Sequence, residues 1–84
     1  MEIRVEVSRG ALWGNVDPDN GYNRFLSERE FCETAEAIIE EEYPEADVEV
    51  AVDDRDFSQI DGEHSSEIEM LVDKAWNGDW QVAA

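Results

Sequence analysis

The side chains best able to do chemistry are few and stand apart in this sequence. His64 is the single histidine and Cys32 the single cysteine among 84 residues. His64 has Glu63 beside it, but no nucleophile motif such as G-x-S-x-G accompanies the pair. The expectation is an exposed residue just ahead of a helix. Cys32 lies on the flank of an apolar helical stripe, which predicts a small buried hydrophobe rather than an activated thiolate. One cysteine also forms no internal disulfide. Asp17, Asp19 and Glu28 have the outline of a calcium loop. Such a loop needs glycine at its sixth position, where this chain has Tyr22, with Gly21 one place early. Asp53, Asp54, Asp56, Asp61 and Glu63 form an acidic run without recognisable ligand spacing. No catalytic residue, metal site or cofactor is expected, and the reading is a protein that binds rather than an enzyme.

The abundant chemistry is negative charge. Acids outnumber bases 23 to 6, for a formal net charge of −17. A surface of that sign repels phosphates, so direct contact with nucleic acid or an anionic membrane is not expected. The imbalance is concentrated: residues 27–54 hold twelve acids against one base, Arg29. Glu33, Glu36 and Glu40 are spaced by three and four, which stacks them along one ridge of a helix, with Glu41 beside them. Like charges at that spacing destabilise a helix by a few tenths of a kcal/mol per pair. The ridge, continued by Asp53, Asp54 and Asp56, is the candidate partner-binding surface, and its expected partner is a basic, nucleic-acid-binding protein or complex. The competing reading is a solvated face on a salt-adapted or housekeeping domain, such as an oligomeric subunit or antitoxin-like partner. A single lysine, Lys74, against five arginines is compatible with either a salt-adapted or a GC-rich source. A homodimer stays open.

These carboxylates need elements to position them. Ile3, Val5 and Val7 alternate with Glu2, Arg4 and Glu6, the period of a strand with one buried face. Gly10 interrupts, and Ala11-Leu12-Trp13 could continue the sheet past a bulge. Asp17-Pro18-Asp19-Asn20-Gly21 is turn chemistry, and Tyr22–Phe25 could return as a short strand. Ser27 and Glu30 form a capping box, with Leu26 and Phe31 as its hydrophobic staple. The apolar stripe Phe31, Ala35, Ile38 and Ile39 then predicts a helix from about Glu28 to about Tyr43, ended by Pro44. Val48, Val50 and Val52 alternate with acids in a second strand over 46–52. Residues 53–63 read as a polar loop anchored by Phe57 and Ile60. A second capping box, Ser66 with Glu69, opens a helix carrying Ile68, Leu71, Val72, Ala75 and Trp76, and Asn77-Gly78 closes it. Trp80–Val82 is a tail or a short edge strand. Trp13, Tyr22 and Trp80 either close the small core or anchor an interface.

The resulting fold class is α+β: one domain over 1–84, a small β-sheet with two helices packed on one face, in the order β(β)αβα. A chain this short buries roughly 60% of the surface it exposes when unfolded. Its 42% hydrophobic content is nonetheless enough for a core rather than disorder. No run approaches the roughly 20 apolar residues of a membrane span, and no signal peptide opens the chain.

Taken whole, the chain resembles the small phage-encoded inhibitors that mimic DNA: anti-CRISPR proteins, anti-restriction proteins and uracil-glycosylase inhibitors. The resemblance rests on length, on charge, on Glu33/Glu36/Glu40/Glu41 and on the acidic run from Asp53 to Glu63. The segment Trp76-Asn77-Gly78-Asp79-Trp80 is loosely similar to some anti-CRISPR tails. The resemblance is one of type, without a diagnostic motif, and it covers all 84 residues. It implies a non-enzymatic inhibitor, in the host cytoplasm if phage-encoded, that occupies the nucleic-acid groove of a defence complex.

Overall fold

The structure, a computed structural model, describes residues 2–14, 21–62 and 64–83. The turn expected over Asp17–Gly21 therefore lies, apart from Gly21, outside the described residues, as do Asp17 and Asp19 of the calcium-loop outline and Glu63. Strand β1 (Glu2–Ser8) runs into a short helix α1 (Arg9–Trp13). Helix α2 (Arg24–Glu42) leads to β2 (Asp47–Asp53), then β3 (Gln59–Asp61), then α3 (Ser65–Trp76). The sheet has the order β2-β1-β3, with β1 in the centre. β2 lies parallel to β1 and β3 antiparallel to it. The class is α+β as the patterning predicts, with the order β-α-α-β-β-α.

Register explains why the two alternating segments pair. Ile3, Val5 and Val7 stand opposite Val48, Val50 and Val52, so both apolar sets turn to one face of the sheet. That face is covered by α2 through Phe31, Ala35 and Ile39, and by α3 through Ile68, Leu71, Val72 and Ala75. The other face carries Glu2, Arg4, Glu6, Asp47 and Glu49. Arg4 sits opposite both Glu49 and Asp61 in register, and its guanidinium lies 3.6 Å from Glu6 and 3.8 Å from Glu49.

Several local expectations are corrected. Ala11–Trp13 forms α1 rather than strand, because the Ser8 hydroxyl accepts from the Ala11 amide and starts a helical turn. Helix α2 begins a turn before Ser27, capped by Asn23, whose side chain accepts from the Leu26 amide at 3.0 Å. Ser27 is fully buried inside the helix, and its hydroxyl accepts from the Val82 amide at 2.8 Å. The expected capping box is thus replaced by a tertiary contact, and Leu26 is exposed rather than stapled. Tyr22 contributes only an isolated bridge, to Ala83 in the tail. The acidic run 53–63 contains β3, whose Ile60 packs on the core. Phe57, expected as an anchor, is 82% exposed.

The start of α3 is also different. Its cap is His64, in the left-handed region at φ 62°, with no side-chain cap bond. Gly62, two residues earlier, has φ 136°, and a Cβ there would meet the Glu2 carbonyl oxygen at 3.2 Å. The close passage beside β1 and the positive φ both favour glycine here, and the helix begins at this passage rather than at Ser66.

Trp13 and Trp80 close the core and are 3% and 2% exposed. Their rings meet edge to face at 5.1 Å, and Trp80 meets Phe31 at 5.7 Å. Neither is an interface anchor on the free surface, and Tyr22 packs half-buried beside them. No helix among the described residues is long and apolar enough to cross a membrane.

Candidate functional site

The seven carboxylates expected to meet a partner divide into two groups. Glu33 forms an i,i+4 ion pair with Arg29 at 3.1 Å. Glu36 turns inward and accepts from the Val50 amide at 3.0 Å. Asp53 lies 3.4 Å from the Arg55 guanidinium, and Asp54 is paired with Arg9. Glu40, Glu41 and Asp56 stand exposed, with no ion pair among the described residues. The ridge read from helical spacing is therefore interrupted at Glu36, which helical periodicity alone places outside.

Glu36 has a structural task. β2 is an edge strand, and unpaired amides on such an edge invite pairing with another chain. Glu36 covers the Val50 amide, while Arg9 Nη2 donates to the Val52 carbonyl at 3.4 Å. Cys32 lies against the same edge. Burial, with Glu36 and Glu28 nearby, pushes its thiol up to about 11, against the opposing effect of the Val52 backbone. The thiol is therefore almost wholly protonated near neutral pH, and its labelling rate with iodoacetamide should climb about tenfold per pH unit from pH 7 to 10. A rate matching that of a free peptide thiol at pH 7.5 would show that Cys32 is not held in this site. Because the folded state keeps the thiol neutral, its contribution to stability is complete below about 9 and is lost as pH rises through about 11.

A polar junction joins β1, α1, α2 and the segment after β2, and local sequence gave no sign of it. Glu28, 14% exposed at its side chain, accepts from Arg9 Nε at 2.9 Å and from the Trp13 indole at 2.8 Å. Arg9 also reaches Asp54. Both carboxylates hold the guanidinium charged, Glu28 more strongly, and raise it above its usual value. The Ser8 hydroxyl donates to the Arg55 carbonyl at 2.7 Å, the Ser8 amide donates to Ser58 Oγ at 3.0 Å, and Arg55 pairs with Glu6. These bonds hold residues 54–58 in place and leave Phe57 facing outward.

The arginines are thereby engaged. Four make ion pairs and Arg24 lies over the Trp13 ring at 5.1 Å from its centroid. What remains is a group of exposed acids where α2 ends and the sheet begins, none of them ion-paired among the described residues, with Lys74 lining the surface next to Glu42 and Arg4 the surface next to Glu2 and Asp47. Glu40, Glu41, Glu42, Glu45 and Asp47 are all exposed, and Asp47 stands opposite exposed Glu2 in register. The last turn of α2 holds no basic residue. Acids there oppose the helix dipole, at about 0.3–1 kcal/mol each. Glu42, Glu45, Asp47 and Glu2 are site candidates that the helical ridge omitted. Their signal was the unbroken run Glu40-Glu41-Glu42 just before Pro44.

His64 is exposed, as expected, with its ring stacked on Tyr43 at 5.7 Å. The Tyr43 hydroxyl donates to Glu67, and that bond raises its pKa. Among the described residues no three His, Cys, Asp or Glu side chains gather closely enough to hold a metal ion. Fold and surface together define a small acidic α+β domain built on a parallel β1–β2 pair. No protein family, curated protein or solved structure matches the chain.

Proposed function

We propose that this chain is a non-enzymatic binding protein that imitates the charge of a nucleic-acid backbone and occludes the basic groove of a nucleic-acid-binding defence complex, acting as an anti-CRISPR protein. The observation that supports the reading is the acidic end, Glu40, Glu41, Glu42, Glu45, Asp47 and Glu2, exposed and without an ion pair among the described residues. The acids in the last turn of α2 oppose its dipole, and none of the group is ion-paired among the described residues, so the cluster lowers the stability of the free protein and is available to Lys and Arg of a partner. The mechanism is stoichiometric: carboxylates take the positions of phosphates, and long-range attraction speeds the encounter.

The test is displacement of labelled duplex DNA from a panel of purified CRISPR effector complexes and restriction enzymes. Release at near-equal ratio from at least one of them is expected, weakening steeply as salt rises. Reversal of Glu40, Glu41 and Glu45 to Lys should weaken that release about tenfold or more, at unchanged fold. Release that is indifferent to ionic strength, or no release from any complex, counts against the proposal.

A second reading has its own observation. Exposed acids with no ion pair among the described residues also occur on α3 and beyond, at Glu69, Asp73 and Asp79, as salt adaptation would spread them. Stability against KCl separates the two. The mimic folds fully at low salt, whereas a salt-adapted domain gains stability steeply toward molar KCl.

A further inference from the structure

A groove of about 430 Å³ runs between β3 and α3. Its floor is apolar, with Ile60, Val72 and half-buried Trp76. Glu69 and Asp73, one helical turn apart on α3, stand along its rim. Both are exposed, and neither makes an ion pair or side-chain hydrogen bond among the described residues. The nearest base in sequence, Lys74, lines a different surface with Glu42, Tyr43 and Glu67. The volume falls within the usual range for ligand sites, which combine an apolar lining with a few convergent polar groups.

We infer that this groove seats an arginine side chain of a basic partner, which deepens the binding reading above and rests on it. An apolar floor under two carboxylates suits a cation on an apolar stem. Arginine fits better than lysine, because its planar guanidinium spans two carboxylates and stacks on an indole face, whereas an ammonium is a strongly hydrated point charge. A second copy of this chain is a poor occupant, since its arginines are already engaged with Glu6, Glu28, Glu33, Glu49, Asp53, Asp54 and Trp13. The groove supplies an address within an otherwise diffuse negative field: the acidic end attracts, and the groove fixes where one guanidinium lodges.

The test is an NMR titration of the full chain with N-acetyl-arginine amide, with the uncharged citrulline analogue as control. Saturable shifts are expected at the Trp76 indole N–H and at the amides around Ile60 and Val72, with none from the citrulline compound. Glu69→Gln combined with Asp73→Asn, both at exposed positions, should leave the melting temperature in place and weaken binding about tenfold or more. Shifts spread evenly over all acidic residues, shifts that survive the double substitution, or no shifts at all would overturn the inference. The DNA displacement assay reads the other proposal separately. Displacement without arginine binding removes the groove alone, and arginine binding without displacement removes the mimicry alone.

Discussion

Trp80→Ala is expected to destabilise the protein by about 3–5 kcal/mol, the range for truncating a large buried aromatic. The indole is 2% exposed, touches Trp13 and Phe31 edge to face, and donates to the Trp76 carbonyl at 2.9 Å. Removing it opens a cavity between α1, α2 and the end of α3, and strands the carbonyl that the indole serves. It also loosens the tail whose Val82 bonds both the Asn23 amide and Ser27. A domain of this size has a total stability on the order of 4–13 kcal/mol, so the variant sits at or near the unfolding threshold. Urea titration followed by circular dichroism reads the loss, and Trp80→Phe should recover more than half of it. A cost under about 1 kcal/mol would mean that the tail does not dock as described.

The second large effect is expected at Glu28. Glu28→Ala leaves the Trp13 indole N–H without its acceptor and Arg9 with Asp54 and the Val52 carbonyl alone. Breaking a half-buried, doubly hydrogen-bonded carboxylate should cost about 2–4 kcal/mol. Glu28→Gln keeps an acceptor for the indole and loses only the charge, so its cost should be about half as large. The same variants loosen residues 54–58, so amide exchange there should quicken in both before the strands open. Equal costs for Ala and Gln would place the energy in the ion pair with Arg9 rather than in the indole bond.

Sequence made the two long strands and the cores of α2 and α3 legible, because each carries its own period: Ile3/Val5/Val7, Val48/Val50/Val52, Phe31/Ala35/Ile39 and Ile68/Leu71/Val72/Ala75. It did not reveal features decided by distant partners. Ser27 looks like a helix cap until the tail arrives 55 residues later to take its hydroxyl. β3 is three residues with one inward side chain, too short for a period to register. Arg9 and Glu28 are 19 residues apart and Arg9 and Asp54 are 45 apart, so their junction has no local signature. The acidic ridge was half legible. Helical spacing correctly left Glu40 and Glu41 outside, but it could not see that β2 would pass beside Glu36 and require its carboxylate.

The position of Trp80 has a consequence for how the molecule is made. The core that starts at Ile3 is sealed only by a side chain 77 residues further on, so α2 and β1 leave the ribosome with their shared apolar faces still unsealed. At roughly 5–20 residues per second, the interval before Trp80 emerges lasts seconds. Until then β1 and α2 carry apolar side chains that have no aromatic lid to close over them.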